Sequence, residues 1–364
     1  MKKRNLAHEN TESMSSPALE REIRRRKAKV SRLMTVLDRI FGFMLATALV
    51  VIITGIGLAY VLTKGPSESL KQDFVMTMLE TRRFDFVANL FLTQEEVYQI
   101  ANAQKEIVLS DLDNALISIS SADAIGSAQT EAVFAQDDDG DGIIFEEIKG
   151  AGFAGYMITV LDPTRVVIGM PDSFGGVGLT LEEMVEKYGA IGGINAGGFK
   201  DDGGAGLGGR PEGLTIIDGV CYGDTAAESP FVGFNDEGQM FVGYFTAWSA
   251  EVNNIKNGVS FGPILIANGM AVNPSALPSG VNPRTAVGQR ADGAVLMLVI
   301  DGRQVHSMGA TYQDCMEIMV ARGAVNAINM DGGSSTSMYY NGEYVNRNSS
   351  TAGARPLPSA FLFK

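Results

Sequence analysis

The chain has 364 residues and a formal net charge of −13 at pH 7, which leaves room for one large domain or two small ones beside appendages. The charge is unevenly spread: residues 1–39 hold eleven Lys/Arg against five Asp/Glu, a balance of +6, so the remainder carries −19 by subtraction. That sign argues against nucleic acid as the partner of everything beyond the basic tail.

From Ile40 to Leu62 there are 23 residues without a charge. At about 1.5 Å per residue a helix of that length crosses a hydrocarbon core of roughly 30 Å, so the pattern predicts a transmembrane helix over 40–62. A cleaved signal peptide fits less well, because the preceding tail is long, the apolar run exceeds a signal core, and no small-x-small cleavage site follows. Arg24, Arg25, Arg26, Lys27, Lys29, Arg32 and Arg39 precede the apolar run. The positive-inside rule then keeps 1–39 cytoplasmic and sends the C-terminal part outside, a single-pass protein of the cell membrane. Juxtamembrane cations of this kind fix topology and touch anionic lipid.

Residues 63–149 are polar and acidic, with two helical patterns. One covers Glu68 to Arg82; the other starts at Thr93, where Thr93 and Glu96 form a capping box. This reads as a partly helical extracellular stalk or linker that contributes little chemistry. Asp137, Asp139, Asp141 and Gly142 match the first half of a calcium loop, but its closing position, which needs a bidentate Glu, is Ile148. The expectation is a solvated acidic loop and no metal, with Ca2+ at Asp137, Asp139 and Asp141 the exception.

Beyond Gly150, short apolar runs alternate with turns. Leu214–Tyr222 carries an Asp-Gly hairpin signal, Phe231–Phe234 and Gln239–Tyr244 make a second pair, and Arg284–Gln289 and Ala294–Ile300 a third. Helical patterns cover Leu179–Lys187 and Thr311–Ala321. The expected class is α+β: a mixed-sheet domain over 150–364 with two helix-strand repeats, behind the transmembrane helix and the stalk. Cys221 and Cys315 are the only cysteines, and two buried thiols fit them better than a bridge.

The repeats are legible as sequence. Tyr188-Gly-Ala-Ile-Gly-Gly-Ile-Asn-Ala-Gly-Gly-Phe199 aligns without gaps onto Arg322-Gly-Ala-Val-Asn-Ala-Ile-Asn-Met-Asp-Gly-Gly333, with Gly189/Gly323, Ala190/Ala324, Ile194/Ile328, Asn195/Asn329 and Gly198/Gly332 identical. Each copy follows a helix, and each helix an apolar run, Met157–Leu161 and Val295–Ile300. In one sheet, right-handed crossovers would bring both glycine-rich turns to one crevice. The second turn, Asp331-Gly-Gly-Ser-Ser-Thr336, sets a carboxylate beside amide and hydroxyl donors. By itself it fits a capped loop as well as an anion site.

Gly193-Ile-Asn-Ala-Gly-Gly-Phe199, Gly213-Leu-Thr-Ile-Ile-Asp-Gly219, Gly262-Pro263, Asn282-Pro-Arg-Thr-Ala-Val-Gly288, Asp301-Gly-Arg303 and Asn329-Met-Asp-Gly-Gly-Ser-Ser335 occur in the order seen in the phosphodiester glycosidase family. The chain resembles that family over roughly 150–364. It is the family of the enzyme that uncovers mannose 6-phosphate by removing N-acetylglucosamine, and of bacterial proteins of exopolysaccharide biosynthesis. One departure is Ala354 before Arg355-Pro356, where many relatives carry an acidic residue.

The resemblance implies hydrolysis of a sugar from a glycosyl phosphodiester in envelope or exopolysaccharide metabolism, with a sugar phosphate or anionic glycopolymer as substrate and no cofactor. Arg284 would grip the phosphate, assisted by Arg303 or Arg355. The Gly332, Gly333, Ser334 and Ser335 amides would complete the pocket. Asp331, with Asp301 as the other candidate carboxylate, would stabilise charge at the anomeric carbon or orient water. Asn195 and Asn329 would bond sugar hydroxyls or the opposite turn, and Gly197, Gly198 and Phe199 would form the facing wall. His306 has no partner nameable from sequence, and Trp248, Tyr244 and Phe245 could stack on a sugar or fill the core. The alternatives are a non-catalytic module binding anionic polysaccharide during export or assembly, or transfer to an acceptor other than water.

Overall fold

The computed structural model describes residues 17–80, 85–102, 137, 139–200, 206–274, 277, 279–350 and 353–364. The last two residues of the expected first helix, Thr81 and Arg82, lie outside them, as do 1–16 of the basic tail and 103–136 of the expected linker. The chain divides into two units, 1–62 and 63–364. The first is most of one helix, α1 (Pro17–Lys64), which contains the apolar run and is long and apolar enough to cross a membrane.

In the second unit, strands form wherever apolar runs meet turn residues, and they assemble into three sheets. The seven-stranded sheet has the order β1 (Ile143–Gly150), β2 (Phe153–Val160), β13 (Val295–Ile300), β12 (Arg284–Arg290), β14 (Ala324–Met330), β10 (Ile264–Ala267) and β11 (Met270–Ala271). A five-stranded sheet runs β16 (Glu343–Tyr344), β15 (Met338–Tyr340), β4 (Gly192–Asn195), β17 (Ala360–Phe363) and β3 (Val166–Gly169). The third runs β6 (Val220–Gly223), β5 (Leu214–Ile217), β9 (Asn257–Ser260), β7 (Ser229–Phe234) and β8 (Met240–Phe245). The three expected hairpins are present as β5–β6, β7–β8 and β12–β13. All three sheets feed one apolar core, from Ile158 and Leu298 in the first through Ile194 and Phe361 in the second to Val232 and Val242 in the third. β13, uniformly apolar, is buried on every residue, as a strand covered on both faces must be.

The helices follow local chemistry. In α5 (Leu181–Tyr188) and α7 (Tyr312–Ala321), Thr180 with Glu183 and Thr311 with Asp314 form complete capping boxes. Leu181, Met184 and Val185 form the buried stripe of α5, facing Leu357, Ala360 and Leu362. Gly189 closes α5 at φ 58°, a left-handed position glycine fills without penalty. The short α6 (Ala247–Val252) caps the third sheet's cluster.

The architecture is α+β, as expected, with two corrections. The repeat units occupy two different sheets, since β4 and β14 belong to the second and first. Among the described residues every strand pairing is antiparallel rather than mixed, because each crossover skips one strand: β13 and β14 flank β12, and β3 and β4 flank β17.

The region expected to be a stalk is partly built into this unit. α2 (Glu68–Glu80), α3 (Asp85–Ala88) and α4 (Gln94–Asn102) share a small core of Val75, Ala88, Leu92, Val97 and Ile100. α2 also reaches the segment before β12: the Asp73 carboxylate accepts the Ser279 N–H, and Thr77 packs so closely on Gly280 that a Cβ there would overlap its Oγ1. β1 adds 143–149 to the large sheet. In the 137–142 loop Asp137 accepts the Gly140 and Gly142 amides and Asp141 that of Ile143, so these carboxylates shape the entry to β1.

Cys221 is exposed, Cys315 fully buried, and they are not bridged. Burial pushes the Cys315 thiol up to about 12, so it stays protonated and shielded at neutral pH. Thiol titration is expected to count one reactive group in the native protein and two after denaturation, with no change of electrophoretic mobility on reduction; two native thiols or a mobility shift would contradict this arrangement.

Candidate functional site

The two glycine turns meet although their strands lie in different sheets. At the end of β4, Asn195 is completely buried. Its Nδ2 donates to the Asp331 carbonyl at 2.6 Å, and its Oδ1 accepts from Thr285 Oγ1 at 2.8 Å and from the Ser337 N–H at 3.0 Å. In return the Asp331 N–H donates to the Ala196 carbonyl at 3.1 Å. One carboxamide thus ties β4 to β12 and to both sides of the 331–337 turn, and both faces of its amide are used. Asn195 is a joint between sheets, the structural use that the sequence offered beside contact with a sugar.

Asn329, its counterpart, donates from Nδ2 to the carbonyls of Gly262 and Met330, both within 2.9 Å. Its buried Oδ1 has no partner. An unmatched buried acceptor is costly, and this one lies beside the Asp331 turn.

The glycines permit the approach. A Cβ on Gly198 would come within 2.7 Å of the Phe261 ring, and one on Gly332 within 2.8 Å of the Pro283 carbonyl. Gly197 donates to Ser359 Oγ. The amides are less available than the sequence reading expected: Gly333 N–H donates to the Pro283 carbonyl at 3.0 Å and Ser335 N–H to that of Gly332 at 3.1 Å. The turn is therefore held shut by its own backbone, and the charge facing it comes from side chains.

Two guanidiniums flank that turn. The exposed Arg303 lies 3.6 Å from where a Cβ of Gly333 would be. Its Nη2 donates to Asn282 Oδ1 at 3.0 Å, and its own backbone sits at φ 58°. A left-handed arginine is uncommon and marks a position held by its surroundings. The half-buried Arg355 donates from Nη1 to Ser334 Oγ at 2.7 Å and lies 5.0 Å from the centre of the Phe199 ring. Phe199 thus walls the site by stacking a cation.

Arg284 is placed differently. It is buried, with Nε donating to the Ala310 carbonyl at 3.0 Å, Nη2 to that of Gly280 at 2.6 Å, and its guanidinium carbon 4.0 Å from the Tyr312 ring. It precedes the last registered pair of β12 and β14, Thr285 with Met330, while Asp331 follows it, so the two stand at one end of one ladder. Its contacts, however, are those of a fastener between β12, the 280 segment and the start of α7.

Asp301 is likewise enclosed, at 2 % exposure. Oδ1 accepts from Asn346 Nδ2 and the Arg347 N–H, and Oδ2 lies 2.9 Å from His306 Nε2. His306, without a nameable partner in the sequence, has one here. The Asp301 carboxylate anchors the 346–350 segment, which braces the turn through Asn348 Nδ2 to the Ser334 and Thr336 carbonyls and Ser349 Oγ to that of Gly333. Asn282, Asn346 and Asn348 escaped sequence reasoning; the available signal was asparagine adjoining Pro283 and Arg347. Of the aromatic candidates, Phe245 is in the core and Trp248 is exposed on α6.

Among known proteins, residues 188–364 match the model of the phosphodiester glycosidase family. The chain is 29% identical over 199 residues to the SPbeta prophage-derived uncharacterized protein YomE of Bacillus subtilis (strain 168), covering 51% of this chain and 29% of that protein, so it spans less than a third of this relative's length. The catalytic domain of zebrafish N-acetylglucosamine-1-phosphodiester alpha-N-acetylglucosaminidase, solved auto-inhibited by its pro-peptide, superposes with a TM-score of 0.51 at 20% identity, over 61% of this chain and 81% of that one. A hypothetical protein from Synechocystis superposes with a TM-score of 0.49 at 17% identity, over 60% of this chain and 61% of that one. The zebrafish likeness is one of fold. Residues 188–364, the part that matches the phosphodiester glycosidase family model, hold both glycine turns and the arginines that flank the second.

Proposed function

We propose that this domain hydrolyses the bond between a sugar's anomeric carbon and a phosphodiester, outside the cell and tethered by α1, on a glycosyl phosphodiester of the N-acetylglucosamine-1-phosphodiester type. The substrate would belong to envelope or exopolysaccharide metabolism. The observation that carries this reading is the placement of Arg303 and Arg355 on either side of a backbone-locked Gly-Gly-Ser-Ser turn that begins at a carboxylate. Guanidiniums suit the leaving group, because a phosphate monoester has a second pKa of about 6 and departs as an anion without a strong proton donor.

The step balances simply. Water adds its oxygen to the anomeric carbon, and the carbon–oxygen bond breaks. The electron pair leaves on the phosphate oxygen, which Arg303 and Arg355 stabilise, while Asp331 stabilises charge on the sugar and takes the proton of the water. Asn329 Oδ1 supplies an acceptor for a sugar hydroxyl or amide, relieving its own unmatched state. Arg284 and Asp301 act from behind, holding the 280–284 segment and the 346–350 brace.

A non-catalytic reading, binding of anionic polysaccharide, would use the same two arginines without Asp331. Purified full-length protein in detergent, given a sugar-1-phosphodiester in heavy-oxygen water, is expected to place the label in the sugar. Label in the phosphate would reassign the cleaved bond, and polymer binding without product would favour the binding module. R303A and R355A are each expected to lower kcat/KM by about 100-fold or more, the loss of one charge-assisted contact to a transition-state phosphate, and D331N to abolish turnover, all with unchanged melting temperature. R284A, in contrast, takes the donor from the buried Gly280 carbonyl, leaves the Ala310 carbonyl with the Asn282 N–H alone and removes the stacking on Tyr312, and is expected to cost roughly 2–4 kcal/mol of stability. An R284A protein that melts like the parent would remove its fastening role.

A further inference from the structure

The loop that supplies Arg303 is also an amphiphilic projection. Residues 303–308 form a small hairpin, with Arg303 N–H donating to the Met308 carbonyl and Gln304 and Ser307 bonded to each other in both directions. Its apolar side chains point to solvent: Val305 is 108% and Met308 68% exposed, while Ser307 is buried against the Asp301 carbonyl. Arg303 at one end and Arg347, whose N–H reaches Asp301, are both exposed beside them. Val281, next to the Asn282 that Arg303 bonds, is a third exposed apolar residue. A fold with a core of its own has no internal use for Val305 and Met308 in water.

Within the second unit, this edge is held a short way from Lys64. α1 ends at Lys64, α2 starts at Glu68, and Thr77 of α2 is packed on Gly280, one residue from Val281. The four Cα–Cα steps from Lys64 to Glu68 and the nine of helix from Glu68 to Thr77 reach at most about 28 Å. Lys64 in addition pairs with Glu96 of α4 at 3.7 Å. An extended stalk of 63–149 would have allowed a separation on the order of 290 Å; the docked α2 removes that freedom.

We infer that the edge formed by Val281, Val305 and Met308 with Arg303 and Arg347 rests on the lipid bilayer, and that the phosphodiester taken by the site joins its sugar to a membrane lipid. This rests on the proposed function and on α1 as an anchor. Apolar tips among guanidiniums are the chemistry of an interfacial contact with anionic headgroups. With −19 outside the tail, most of the domain is repelled by such a surface, so a cationic edge also orients it.

The test uses the full chain reconstituted in vesicles containing phosphatidylglycerol, in a Cys221→Ser background, with an environment-sensitive fluorophore at Val305→Cys or, as control, at Glu237→Cys in the β7–β8 turn. Spin-labelled lipid is expected to quench the dye at position 305 and leave that at 237 bright; equal quenching at both positions, or none at 305, overturns the inference. In the same vesicles V305E/M308E is expected to lower turnover of a long-chain alkyl sugar phosphodiester by roughly tenfold or more, the loss of one or two buried apolar side chains, and to leave the methyl phosphodiester of the same sugar unchanged. Equal loss on both substrates would count against a lipid-facing edge. Should the parent cleave neither substrate, the catalytic reading fails while the quenching still decides the membrane contact.

Discussion

A single buried carboxamide governs the site. Asn195 donates to one side of the Asp331 peptide while the neighbouring Ala196 carbonyl receives its other side, and its oxygen is shared between Thr285 and Ser337. Aspartate there could not donate, and glutamine would place the same atoms too far from the backbone. The position of Asp331 is consequently set by two sheets at once, neither of which could hold it alone. The tightness of that joint excludes side chains around it, so Gly198 against Phe261 and Gly332 against Pro283 follow from the same constraint. Backbone bonds then close the turn, which leaves its recognition of charge to neighbouring side chains.

Three arginines surround this joint, and burial sorts them into two roles. A guanidinium in the interior needs its hydrogens matched, because an unpaired buried cation is far more costly than a paired one. Arg284 meets that need with two carbonyls and an aromatic face, and its charge is thereby spent on architecture. Arg303 and Arg355 keep partial access to water, and among their partners are the neutral oxygens Asn282 Oδ1 and Ser334 Oγ. These bonds fix where each guanidinium points beside the turn. The same logic makes Asp301 part of the architecture, since its two oxygens are filled by Asn346, Arg347 and His306.

The legible part of this molecule is the part written locally. Capping boxes at Thr180 and Thr311, the Asp218-Gly219 turn and the uniformly apolar Val295–Ile300 each declare an element within a few residues. The duplicated Gly-Ala-x-x-x-Ile-Asn pattern even foretold the meeting of the two turns, because repeated chemistry implies repeated geometry. It did not foretell the two-sheet arrangement, since which strand fills the gap in a crossover is decided by β12 and β17, remote from either repeat. Nor can a motif say whether its arginine faces the core or the cleft: Arg284 and Arg303 both stand in glycosidase-like motifs, and only the register of β12 and the left-handed turn at Arg303 tell them apart. The Asp301–His306 pair and the Asp73–Ser279 contact are likewise invisible before folding.

The segment 279–284 shows why the α2 helix belongs in an account of the site. Ser279 donates its N–H to Asp73 and itself accepts the first N–H of α7 through Oγ; Gly280 carries Thr77 on one side and holds Arg284 by its carbonyl; Asn282 orients Arg303; Pro283 receives the Gly333 amide. Five of the six positions from 279 to 284 thus link α2 to the glycine turn. A displacement of α2 is poorly absorbed within that segment, because Ser279, Gly280, Asn282, Pro283 and Arg284 already have partners on other elements, and close-packed neighbours transmit strain instead of yielding to it. The part of the chain that reads as a spacer is for this reason mechanically continuous with Arg303, and the geometry of the candidate site depends on how α2 is seated.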